Sequence, residues 1–225
     1  MHPIGSRVRP AVILLALGAL TYTAWVLEVV LHTGLDPVQT YVSELAAADQ
    51  PLGGLFRATD LTAGVLVLSG AAWALWRCDG RGWSVAGWSG LVLFGASTAA
   101  DSRLPLSCAP TADPECAARE TAGLVPATHT AHVVSSSLAM TGALAAVVAL
   151  TVAARRYGRW APLARSGPVL LVLEVAATAW TLGAVAAFEA GRGTWWLGAG
   201  QRTQVLVVAV WLGVLAYAVG RENRV

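Results

Sequence analysis

The chain contains no lysine: all 15 basic residues are arginine. Isoleucine occurs only at Ile4 and Ile13, and asparagine only at Asn223. Charged residues make up 12% of the chain, against about 25% in ordinary soluble domains. A net charge of +2 without a basic tail gives nucleic acid nothing to bind, so no nucleic-acid partner is expected. Three cysteines cannot supply the two pairs of a zinc ribbon. There is no Walker motif, no dinucleotide-binding glycine pattern and no haem attachment motif. Alanine, valine, leucine and glycine dominate, a composition that fits a GC-rich bacterial genome.

What is present is apolar length. Hydrophobic residues make up 56% of the chain. Six stretches are long enough to span a bilayer: 11–32, 58–76, 83–100, 129–154, 168–188 and 203–220. Backbone polar groups inside lipid must be satisfied within the segment, so these stretches predict helices. The expected fold is all-α: one integral membrane domain over residues 1–225, a six-helix bundle. Arg7 and Arg9 ahead of the first run resemble a signal peptide, but the run continues to His32 without a clean cleavage site. It reads as a retained first span.

Arginine placement predicts the orientation. Ten arginines fall on the side of the two termini and five on the other, which makes both termini cytoplasmic. Cys108 and Cys116 then lie in a long outer loop, eight positions apart. They are either two free thiols or a disulfide, and an oxidising compartment favours the bridge. Cys78 falls on the cytoplasmic side and is expected to be free. In the first outer loop Asp36 and Pro37 suit the start of a short helix, with Val38, Tyr41, Val42 and Leu45 on one face. Trp195 and Trp196 fit an interfacial belt. Gly87 and Gly90 allow close helix contact in span 3.

The ionisable residues within or beside the spans gather at the outer end. A charge at membrane depth is costly and faces a partner or a water-filled cavity. Thr21, Trp25, Glu28 and His32 follow helical spacing and fall on one face of span 1. His129 and His132 open span 4, with Ser136 one turn deeper. Their i, i+3 spacing allows a shared divalent metal such as zinc, with Asp101, His32 or Glu28 as third ligand. Capping and interhelical hydrogen bonds are the plain alternative. Asp101 ends span 3, and consecutive spans are neighbours, so it is expected beside the histidines. There a carboxylate can fix an imidazole tautomer. Asp60 starts span 2 one turn after Arg57, and a local ion pair is its plain reading. Glu174 lies in span 5 with Thr178 and Thr181 on its face. Arg202, between Gln201 and Gln204, opens span 6 and suits a phosphate or carboxylate.

The segment Tyr41-Val42-Ser43-Glu44-Leu45, Asp101 at the end of span 3, the histidine opening span 4 and Gly200-Gln201-Arg202 together resemble the bacterial domain-of-unknown-function 998 family. The resemblance spans nearly the whole chain. It implies six membrane helices in a bacterial plasma membrane, and no activity. Three functions are open on the residues alone. One is a hydrolase or transferase acting on a lipid or amphipathic substrate. In it Asp101, His129, His132 and Ser43 or Ser136 do the chemistry, and Glu28, His32, Asp60 and Arg202 contact the substrate. The second is a transporter or small-ligand or ion binder. The third is a scaffold whose polar cluster only joins helices. Membrane lipids are the expected surroundings in all three.

Overall fold

The computed structural model describes residues 9–222. Arg7 and Arg224, two of the arginines that set the orientation, lie outside the described residues. Seven α-helices follow in order: α1 (Arg9–Tyr22), α2 (Gly53–Trp76), α3 (Gly82–Asp101), α4 (Pro114–Thr121), α5 (Ala127–Arg156), α6 (Ala161–Glu189) and α7 (Leu197–Glu222). Short 3-10 turns run over Ala24–Val29 and Val42–Ala46.

Five segments are long and apolar enough to cross a membrane: Arg9–Val29, α2, α5, α6 and α7. The sixth expected span, α3, has 20 residues and falls short in hydropathy. Its composition explains this. Gly and Ser take positions that larger apolar residues hold elsewhere, because α3 packs between α2 and α5 at backbone distance. A methyl group on Gly95 would stand 2.5 Å from the Leu68 amide nitrogen, and one on Gly90 would stand 2.9 Å from the Gly142 carbonyl oxygen. Small residues permit that approach, and dispersion contacts between the helices reward it.

The six long helices close a ring in the order α3, α2, α1, α7, α6, α5. Half of the ring, at the end shared by the termini, is filled by Leu15, Trp88, Leu91, Leu150, Leu163, Trp211, Leu212 and Leu215. The opposite half is polar inside and carries the cap, built from residues 23–52, 102–126 and 190–196. α5 and α6 touch near their connecting turn, where Gly167 lies against Thr151. Further along they diverge and leave a cleft.

Span 1 corrects an expectation. The α-helix stops at Tyr22, and the Thr21 and Thr23 hydroxyls bond back to carbonyls of the preceding turn. Such back-bonding competes with the helix ladder. The chain continues as a 3-10 turn, so Thr21, Trp25, Glu28 and His32 do not share an α-helical face. The first-loop helix is also shorter than expected. Asp36 Oδ1 accepts the Val38 and Gln39 amides, but only one turn forms before the Val42–Ala46 turn. Helix α4, absent from the sequence reading, is capped by Asp113 accepting from the Glu115 amide, with Pro114 in its first turn.

Candidate functional site

The α3–α5 contact places the site. Gly90 faces Gly142 and Ala146 across an antiparallel pair. Advancing along α3 to its last residue, Asp101, means retreating along α5 to its first turns. There the structure brings Asp101 against His132, Ser135 and Ser136. Asp101 Oδ1 lies 3.0 Å from His132 Nδ1 and also accepts the Ser135 hydroxyl. Asp101 Oδ2 accepts the Ser136 hydroxyl at 2.7 Å. Ser136 Oγ stands 3.3 Å from His132 Nε2.

The tautomer of His132 is assigned from this network. Nδ1 faces two acceptors, the Leu104 carbonyl and Asp101 Oδ1, each at 3.0 Å, and so carries the ring hydrogen. Nε2 then presents its lone pair to Ser136. Rotating the Ser136 hydroxyl hydrogen from Asp101 to Nε2 requires no movement of heavy atoms. A hydroxyl, an imidazole base and a carboxylate that orients it are the parts of an activated nucleophile.

Two cavities meet at Ser136. The smaller, about 110 Å³, holds Asp60, Asp101 and Tyr22 among its walls. The larger is the α5–α6 cleft, about 470 Å³, within the range of small-ligand sites. Ser43, Ser136, Met140, Gln201 and Gln204 line both. Gln201 Oε1 accepts the Val42 amide at 2.6 Å, leaving its amide NH₂ available to the cavities. Gln204 donates to Thr178 Oγ1 at 2.8 Å. The cleft opens sideways. Val133 and Leu182, on its two sides, are 51% and 64% exposed, on a face that would meet lipid tails.

The remaining expected site residues separate. Asp60 lines the smaller cavity and, among the described residues, makes no hydrogen bond or ion pair. Arg57 does not pair with it, because its guanidinium donates to the Ala46 and Ala47 carbonyls. Ser43 faces both cavities but has no basic partner, so Ser136 is the better-equipped nucleophile. His129 is buried away from the cavities. Its Nδ1 accepts from the Ser107 amide at 3.1 Å, and its Nε2 lies 3.3 Å from Glu120. The metal set His129, His132 and Asp101 is therefore not assembled. Among the described residues no group of three or more His, Cys, Asp or Glu side chains could hold an ion. Glu28 and Arg202 do not face the cavities either. They form a buried bidentate pair with both contacts at 2.6 Å, and Arg202 also donates to the Thr40 and Gly198 carbonyls. His32 is exposed in the cap and lines neither cavity.

Glu44 has a role that the sequence reading did not single out. It is fully buried and accepts the Tyr41 and Thr111 amides and the Thr111 hydroxyl. It thereby ties the first cap segment to the loop that carries Cys108 and Cys116. Those two cysteines stand at disulfide distance, with Cα atoms 6.0 Å apart, and Cys78 is unpaired. The only advance signal for Glu44 was its place in the Tyr41–Leu45 segment.

No curated protein and no solved structure is similar enough to match this chain. A family model does match, over residues 15–218; it reaches into all six long helices and covers the whole of the Asp101–His132–Ser136 site. The chain belongs to the family described as Protein of unknown function (DUF998).

Proposed function

We propose that this is a membrane acyl hydrolase or acyltransferase acting on an amphipathic substrate. In this reading six helices cross a bacterial plasma membrane, with both termini cytoplasmic and the site in the outer half. Ten arginines against five support the orientation. α3 serves as the sixth span, with α2 and α5 packed on it at backbone distance and shielding its two flanks.

The observation that carries the reading is Ser136 Oγ placed 3.3 Å from His132 Nε2, with His132 Nδ1 donating to the Leu104 carbonyl and lying 3.0 Å from Asp101 Oδ1, at the wall of a cleft open towards lipid. Ser136 Oγ attacks the carbonyl carbon of an ester or amide, and its proton passes to Nε2. Asp101 stabilises the imidazolium. The Gln201 amide hydrogens are the donors for the oxyanion. When the carbonyl re-forms, the bond to the leaving group breaks, and that group takes the proton from His132. Water, or an acceptor alcohol, then releases the acyl group by the same steps.

An alkyl fluorophosphonate tests this without knowledge of the substrate. Intact-protein mass spectrometry should show one adduct in the wild type and none in Ser136→Ala. His132→Gln and Asp101→Asn should slow labelling by about 100-fold or more. Labelling that survives Ser136→Ala, or a wild type that never labels, rejects the proposal.

A second reading, a proton or cation path, draws on Asp60 and on Glu174. Glu174 is buried in α6, where Thr178 donates to its Oε1 at 3.5 Å and Oε2 has no partner among the described residues. It requires Asp60→Asn or Glu174→Gln to stop ion uptake into proteoliposomes while Ser136→Ala does not.

A further inference from the structure

The cleft walls carry charge of one sign only. Asp60, Asp101, Glu120 and Glu189 line the two adjoining cavities, and among the described residues no arginine lines either. Lysine is absent from the chain. Of the five arginines on this side, Arg103 and Arg192 are exposed and line neither cavity, and the other three are committed elsewhere. Arg202 is held by Glu28, Arg57 by the Ala46 and Ala47 carbonyls, and Arg119 by Cys108 Sγ and Glu115. An anionic head group would meet carboxylates with no cation to offset them, and like charges brought together out of bulk water repel.

The cleft also has a direction. Glu120 and Glu189 belong to its cap end, beside Tyr41, and Leu144 lies deeper along α5. Ser136 falls between them. Leu144 is eight residues further into the helix, about 12 Å at the α-helical rise. Thr181 lines the cleft at the level of Ser136, is only 8% exposed, and its hydroxyl has no hydrogen-bond partner among the described residues. A buried hydroxyl without a partner is costly, and a polar atom on a bound molecule would satisfy it. Glu120 keeps an oxygen on His129, and Glu189 has no partner among the described residues.

Resting on the acyl-transfer reading, we infer that the cleft selects an acyl ester or amide whose head group is a cationic amine. The ammonium lies at Glu120 and Glu189, with the Tyr41 ring beside it as a further site for a cation. The carbonyl lies at Ser136. The acyl chain follows the cleft from Ser136 towards Leu144.

The test is binding to the purified protein in discs of zwitterionic lipid, with empty discs subtracted. Three probes share one alkyl chain: tetradecyltrimethylammonium, tetradecyl phosphate and tetradecyl maltoside. The ammonium probe should bind about tenfold or more tighter than the phosphate, the ratio expected from about 1.4 kcal/mol of added attraction. The double variant Glu120→Gln, Glu189→Gln should reduce that preference to about twofold or less. Glutamine at 120 still accepts from His129, so the cap remains closed. Glu189→Gln alone, at an exposed position, guards against a folding defect in the pair. Equal or tighter phosphate binding, a preference unchanged in both variants, or no saturable binding overturns the inference. Ser136→Ala should retain the preference. A preference retained while fluorophosphonate labelling fails would reject the chemistry and keep the head-group assignment. Labelling without the preference would do the reverse.

Discussion

Glu44 Oε1 accepts the backbone amide of Thr111, 67 residues away, at 2.7 Å, and so joins the two halves of the cap. Burial pushes the Glu44 carboxyl up to about 7, against the hydrogen bonds from Thr111 and Tyr41 that favour its charged form. The charge of Glu120 adds to the rise. The sign of the pH effect follows. Between its ordinary value of about 4.5 and about 7, the folded protein holds this proton and the unfolded chain does not. Stability from this group is fully present below the lower value and is lost as pH rises through the upper one. Wild type should therefore melt at a lower temperature at high pH than at low pH. Glu44→Gln, which keeps the shape and loses the proton, should remove that part of the slope. The wild-type-minus-variant difference should reach at most ~3 kcal/mol, from the conversion of a pKa shift to free energy. Denaturation in detergent across the pH range checks it, and an identical slope in both proteins would exclude Glu44 as the source.

The Glu28–Arg202 pair gives a second prediction. Both side chains are nearly buried, and the pair is the principal tie between the 3-10 turn after α1 and the first turns of α7. Removing one partner strands a buried charge, which costs roughly 3–5 kcal/mol. Glu28→Gln should lower unfolding free energy on that scale. Adding Arg202→Met to Glu28→Gln should cost less than the two single changes summed, because the stranded charge is gone. Additive losses in the cycle would show that the two side chains act independently.

Much of this was legible in the sequence, for definite reasons. Helices long in apolar residues announce themselves, and consecutive helices pack side by side, which was enough to place Asp101 near the start of α5. The choice between His129 and His132 was not legible. Three residues on a helix leave two side chains about 60° apart, and which of them faces the bundle depends on where Ser107 and Glu120 arrive from the cap. The hydropathy of span 1 hid its break at Tyr22, because a 3-10 turn can be as apolar as the helix before it. Glu28 looked like a pocket residue because its partner, Arg202, is 174 positions away. Ser136 looked like a second choice to Ser43 until its distance to His132 was known.

The Cys108–Cys116 pair should be a disulfide in protein taken from the native membrane. Peptide mapping without reductant should recover the two cysteines linked, and alkylation should label Cys78 alone. Replacing both with serine should lower stability by ~2–3 kcal/mol, the loop-closure value for a bridge of this span. The loss should fall on the cap, because Ser107 next to Cys108 holds His129. Proteolysis within 102–126 should therefore speed up before the helices unfold. Two alkylatable thiols at 108 and 116 in the untreated protein would contradict both the bridge and the outer placement of this loop.

The last prediction tests why α3 carries so many glycines. If its glycines are there for close packing, enlarging one should cost more than its change in helix propensity returns. At Gly95 an added methyl would stand 2.5 Å from the Leu68 amide nitrogen and 2.9 Å from the Gly64 carbonyl oxygen. Both are backbone atoms and cannot rotate away, so α2 and α3 must separate. Gly95→Ala should therefore destabilise by about 1–3 kcal/mol, the cost of overpacking, even though alanine is the better helix former by ~1 kcal/mol. Gly213→Ala in α7 is the matched control, since nothing lies within 4 Å of the added carbon there. It should be neutral or stabilising. Separating α2 from α3 also shifts α3, which carries Asp101, against His132 and Ser136 on α5, so Gly95→Ala should slow fluorophosphonate labelling at Ser136 while Gly213→Ala leaves it unchanged. If the two alanine variants have the same stability, close packing is not the reason for the glycine, and the case for α3 as a shielded sixth span loses its physical basis.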